Sequence, residues 1–255
     1  MKKILILSLS VLSTLLFSAC TDQANQPESQ AENIIGKHTI RFTEPPKRIP
    51  APHSVDAPLL GNGFTGVALS GTPESQVFYV ARNDFWRLKS ALDESFPLVL
   101  GKIELDIPQL KDASYLVEQQ LYDAVSTARF TKGDISVSYK AFVPATEDML
   151  IVDLNMEGNG SVEGTAGISF LGKEEQINKP PLERIFPDVR EHETKPNGVE
   201  YLSRAFVDSV DIPTKGAMAL RVSGSTDGKF TLEPGKTVRL VCAFSSNFKS
   251  DDCVA

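Results

Sequence analysis

From residue 38 onward, apolar and polar side chains alternate with a period of two in short segments. Gly, Pro, Asn and Asp punctuate them roughly every ten residues, the pattern of a sandwich or barrel. The clearest segment is Gly101 to Ile107, where Ile103, Leu105 and Ile107 fall on one side and Lys102, Glu104 and Asp106 on the other, until Pro108 ends it. His38 to Thr43 predicts a first strand. Thr65 to Leu69 and Gln76 to Ala81 predict a hairpin about a turn in Ser70 to Glu74. Further strands follow at Tyr115 to Asp123, Thr127 to Thr131, Ile135 to Phe142, Leu150 to Met156, Gly164 to Leu171, Gly198 to Phe206, Ala217 to Ser223, Gly228 to Leu232 and Thr237 to Ser245. Their connections are too short for crossovers, so neighbours are expected to pair antiparallel. Two stretches break the rhythm. Asn83 to Ser95 reads as one or two helical turns, and Lys173 to Asn197, with four prolines and many charges, reads as a long loop with at most one short helix.

The amino end has a different grammar. Lys2 and Lys3 precede an apolar run from Ile4 to Phe17, and Ser18-Ala19-Cys20 closes it, so residues 1–19 read as a secretory signal. Phe17 to Cys20 resembles the lipobox of bacterial lipoproteins, which implies acylation of Cys20, a membrane tether through its acyl chains and a place in the cell envelope, at the outer membrane. Residues 20–36 hold much Gln, Asn, Ser, Asp and Glu and read as a flexible tether, which leaves 37–250 for the folded domain.

The net charge of −7, with basic residues scattered, argues against nucleic acid as a partner. Besides Cys20 there are Cys242 and Cys253, better read as two separate thiols than as a bridge. His38, His53 and His192 are far apart in sequence and form no metal-ligand motif, so no cofactor or metal is expected. The 33 acidic residues contain no spacing that singles out a catalytic pair. No serine sits in a nucleophile elbow, and no glycine-rich phosphate loop precedes a helix.

Two clusters carry candidate chemistry. In Gly61-Asn62-Gly63-Phe64-Thr65-Gly66 the glycines permit a sharp bend that Asn62 can cap, and Asn62 and Gly63 could also meet a ligand. Asn83, Asp84 and Trp86 place amide and carboxylate groups beside the single tryptophan, a combination suited to a sugar, whose C–H faces stack on an aromatic ring while its hydroxyls hydrogen-bond. The plainer alternative has Trp86 half buried under a short helix and Arg87 as a solvated charge.

Taken together, Ala57 to Ala68 with Asn83-Asp84-Phe85-Trp86, then Tyr115 to Ala124 leading through Ala128-Arg129-Phe130 and Gly133 to Tyr139-Lys140-Ala141-Phe142-Val143-Pro144, then Leu232 to Lys236, resemble the N-terminal domain of glycoside hydrolases of the α-L-fucosidase type (family 95) and their family 65 relatives. That resemblance implies an all-β, two-sheet antiparallel supersandwich related to galactose mutarotase, with at most short helices. It further implies a carbohydrate-associated function and a helical catalytic barrel, packed on the sandwich, that would supply the acid and the base. No succession of amphipathic helices follows the sandwich within these 255 residues, so this chain alone is expected to be inactive. The competing reading is a stand-alone carbohydrate-binding envelope lipoprotein.

Overall fold

The computed structural model describes residues 30–48, 50, 55–90, 95–172, 188–249 and 253. Its strands are β1 (Thr39–Phe42), β2 (Leu59–Gly61), β3 (Thr65–Thr72), β4 (Ser75–Arg87), β5 (Phe96–Asp106), β6 (Ser114–Gln120), β7 (Val125–Lys132) and β8 (Ile135–Phe142). They continue with β9 (Met149–Glu157), β10 (Val162–Ser169), β11 (Val189–Thr194), β12 (Glu200–Phe206), β13 (Thr214–Val222), β14 (Lys229–Leu232) and β15 (Val238–Ser246). Every ladder between them is antiparallel. They form a nine-stranded sheet in the order β1-β6-β7-β8-β9-β15-β13-β12-β11 and a six-stranded sheet in the order β14-β10-β5-β4-β3-β2. The protein is therefore an all-β, two-sheet antiparallel sandwich.

Alternation explains the layers. On β5, Ile103 and Leu105, followed by Ile107, point inward and are buried, while Lys102, Glu104 and Asp106 stay partly exposed. Across the gap, Val137, Tyr139 and Ala141 of β8 and Leu150, Val152 and Leu154 of β9 face them within one continuous core that joins both sheets. Each such valine, leucine or isoleucine contributes roughly 1.5–3 kcal/mol by leaving water. Phe78 of β4 meets Tyr139 edge-on at 5.8 Å between centroids, and the Tyr139 hydroxyl donates across the sheets to Gln76 Oε1 at 3.3 Å. The turn from β3 to β4 is shorter than the sequence suggested, reduced to Pro73 and Glu74. Gly71 adopts φ +96° beside it, where a Cβ would lie 2.1 Å from the Ser75 carbonyl oxygen.

Two expectations about local structure need correction. Asn83 to Ser95 is not helical where it is described, because β4 runs on through Arg87 and Leu88 bridges to Ile212. The cause is a bulge: β4 pairs Ala81 with Val99 and next Trp86 with Pro97, so the four residues Arg82 to Phe85 stand against Leu98 alone and the alternation is scrambled. Within the expected loop from 173 to 197, Val189 to Thr194 forms the edge strand β11. All six of its residues are exposed, so no face is buried and no period-two signal is written into its sequence. Residues 173–187 lie outside the described residues, as do residues 91–94 of the expected helical stretch and the signal segment with Cys20. In the expected tether, Gln30–Ile35 forms the short helix α1, and none of its side chains is buried. Cys242 and Cys253 are both buried and not bridged. No helix among the described residues is long and apolar enough to cross a membrane.

Candidate functional site

The sequence-predicted residues Asn62, Gly63, Asn83, Asp84 and Trp86 meet at one end of the sandwich. The bend between β2 and β3 closes through Asn62, whose Oδ1 accepts the backbone N–H groups of Phe64 (3.0 Å) and Thr65 (2.9 Å). Its Nδ2 donates to the carbonyls of Pro144 (3.3 Å) and Glu147 (3.2 Å) and to Asp148 Oδ1 (3.3 Å), tying the bend to the β8–β9 connection. Gly63 sits at φ +92°, which a residue with a Cβ rarely adopts. The bend is clamped to β4 from the other side. Asn83 donates its backbone N–H to the Phe64 carbonyl and its Nδ2 to the Gly63 carbonyl, both at 2.9 Å. Trp86 Nε1 donates to the Asn83 carbonyl at 2.7 Å, and the Trp86 carbonyl accepts the Thr214 hydroxyl at 2.6 Å. Asn83 is exposed and Trp86 half-buried, in a strand and not under a helix.

Beneath this rim lies a charge network that the sequence reading missed. Arg82 is fully buried and forks onto Asp84, with Nε to Oδ1 at 2.9 Å and Nη2 to Oδ2 at 2.8 Å, while Nη1 reaches Asp148 at 3.2 Å and Thr65 Oγ1 at 3.4 Å. Ser246 Oγ donates to Asp84 Oδ2 at 2.7 Å, and Lys249 pairs with Asp148 while its ammonium stands 4.9 Å from the Phe64 ring centroid. Burial opposes ionisation of both carboxyls. At Asp84 the bonds from Arg82 and Ser246 and the Arg82 charge outweigh it and hold the pKa below the usual carboxylate value. At Asp148 the bonds from Lys249 and Asn62, with Arg82, do the same. Two carboxylates fixed in the ionised form cannot serve as proton donors near neutral pH. The sequence did hold a signal for this network, since Phe78, Val80 and Arg82 share the inward register of β4, and a charge at an inward position requires a partner.

The surface of this end is apolar as well as polar. Phe64 and Phe248 are 52% and 54% exposed, far more than a core aromatic. The turn carrying Phe248 is bound to the start of β13 through Asn247, whose Nδ2 donates to the Pro213 carbonyl and whose Oδ1 accepts the Lys215 N–H. Arg87, expected to be a solvated charge, is instead buried and donates to the Ser209 carbonyl at 2.9 Å. Asp188 is also structural: it holds buried Arg204 at 2.6 Å.

A separate cleft of about 490 Å³ opens beside β10 and contains Glu104, Asp106, Glu200 and Asp227. Two of these carboxylates serve the fold. Glu200 accepts the Ile168 N–H at 2.9 Å and faces His192 Nε2 at 2.7 Å, and Glu104 accepts the Ser169 hydroxyl at 2.7 Å. Among the described residues, no three of His, Cys, Asp and Glu are grouped to hold a metal ion.

No family model matches the chain, and no curated protein matches it.

Proposed function

We propose that this chain is the carbohydrate-associated β-sandwich of a glycoside hydrolase, lipid-anchored in the cell envelope, and that the end bearing the Asn62 bend and Trp86 faces the glycan. The observation that carries this reading is the convergence of an exposed amide, Asn83, with the half-buried Trp86 and exposed Phe64 on one hydrogen-bonded rim. An aromatic face beside fixed amides suits a pyranose ring, whose C–H face packs on the π-system while its hydroxyls bond to the amides. In this reading Asn62 and Asp84 hold the rim, and Asn83, Trp86 and the Gly63 backbone meet the sugar. The buried Arg82 network fixes their spacing in advance, which reduces the ordering cost of binding.

Trp86 is the only tryptophan, so its fluorescence reports directly on this site. Titration of the chain with a panel of neutral oligosaccharides should change that fluorescence, and calorimetry should show about tenfold weaker binding for Asn83→Ala and Trp86→Ala. Silence across the panel by both methods would overturn the reading. Hydrolysis of aryl glycosides by this chain alone is expected to be undetectable. Amphipathic helical hairpins encoded downstream of residue 255 would favour the hydrolase reading; their absence would leave a stand-alone binder.

A further inference from the structure

The outward face of the nine-stranded sheet holds a second arrangement, separate from the rim. Side chains on that face stand in cross-strand rows. One row runs from Glu118 through Thr127, Lys140 and Asp153 to Arg239, and the next from Leu116 through Arg129 and Ser138 to Asn155. A shallow concavity of about 350 Å³ lies over the middle of both rows, with the short side chains of Thr127 and Ser138 in its floor.

The charges around it are matched with one exception. Arg41 pairs with Glu118 at 2.6 Å, Arg129 with Glu157 at 3.0 Å, and Arg239 with Asp153 at 2.6 Å. Lys140 is exposed, and among the described residues no carboxylate lies in ion-pair contact with it; its ammonium stands 6.0 Å from the Phe142 ring centroid. Of its two ladder neighbours Thr127 is neutral, while Asp153, which holds Arg239, also feels the Lys140 charge, and Glu118 lines the concavity beside Thr127. Asn155 Oδ1 accepts the Thr237 hydroxyl at 2.6 Å, which leaves its Nδ2 to donate elsewhere.

Four cations, Arg41, Arg129, Lys140 and Arg239, thus stand against three carboxylates, Glu118, Asp153 and Glu157, and the one positive charge in excess, beside hydroxyls and an amide, suits an anion that also carries hydroxyls. We propose that this concavity binds a carboxylate-bearing saccharide, a uronic acid unit within a glycan, with Lys140 receiving the carboxylate and Thr127, Ser138 and Asn155 meeting ring hydroxyls. The site lies on the other sheet from Trp86, and so it stands or fails apart from the rim.

The test is calorimetric titration of the chain with tri-galacturonate and with its fully methyl-esterified form. Binding of the acid and not of the ester is expected. Lys140→Met should weaken it about tenfold, about 1.4 kcal/mol, and Lys140→Arg should restore most of it. Trp86→Ala should leave it unchanged. Thr127→Glu, which adds a charge at a partly exposed sheet position across from Lys140, should abolish binding while the melting curve stays that of the parent. Equal affinity for acid and ester, no binding of the acid, or loss in Trp86→Ala without loss in Lys140→Met would each overturn the proposal.

Discussion

Replacing Arg82 by Met tests whether the buried network is what holds the rim together. The guanidinium is wholly buried, and the carboxylates it joins are only 16% and 8% exposed, so the substitution leaves two shielded negative charges facing each other. Breaking a buried pair by removing one partner costs about 3–5 kcal/mol. Asp148 keeps Asn62 and Lys249, and Asp84 keeps Ser246, which places the loss at the low end, about 3 kcal/mol. For a domain of this size that corresponds to a fall in Tm of about 6–12 °C. Urea unfolding at pH 7, followed by Trp86 fluorescence and by far-ultraviolet circular dichroism, measures it if the two probes coincide. The pH dependence supplies the sharper check. Both carboxyls ionise below their ordinary value of 3.8 in the folded protein, so their stabilisation is present above that pH and is lost as pH falls through the depressed values. Without Arg82, Asp84 loses the chief group that holds its value down, so its value rises and protonation relieves the variant, while Asp148 is still held by Lys249 and Asn62. The gap between parent and variant should therefore be widest near neutral pH and close toward about pH 3. A loss below about 1 kcal/mol at neutral pH, or a gap that does not shrink on acidification, would refute the reasoning.

Asn62→Asp replaces an amide that donates to two carbonyls and to Asp148 with a second carboxylate, and should cost about 2–3 kcal/mol at neutral pH and less in acid; an Asp variant as stable as the parent in urea would contradict the geometry. Leu154→Ala, at a position with no exposure between the sheets, should cost about 2–5 kcal/mol by equilibrium unfolding. Burial pushes the Cys242 thiol well above its usual range, so iodoacetamide should label Cys242 only after unfolding, as read by peptide mass spectrometry; labelling in the native state would place the middle of β15 in water.

The ladder of strands from Gly101 to Ser246 was legible in the sequence because each strand buries one face and exposes the other, which writes a period of two into the residues themselves. Pro108 and the turn at Pro234 and Gly235 fixed its ends for equally local reasons, and so did the closeness of the Asn62 bend to Asn83 and Trp86 along one hairpin. Other features depended on what lies across the fold. β11 carries no alternation because as an edge strand it packs nothing, and the β4 bulge hides its strand because the residues Arg82 to Phe85 answer to partners elsewhere. Asp148, Ser246 and Lys249 are remote from Arg82 in sequence, and only the stacking of β4 against the β8–β9 connection and the end of β15 brings them to it. A residue's own side chain sets its periodicity, but which charge compensates it is decided by whichever segment the closed sandwich places within hydrogen-bond reach.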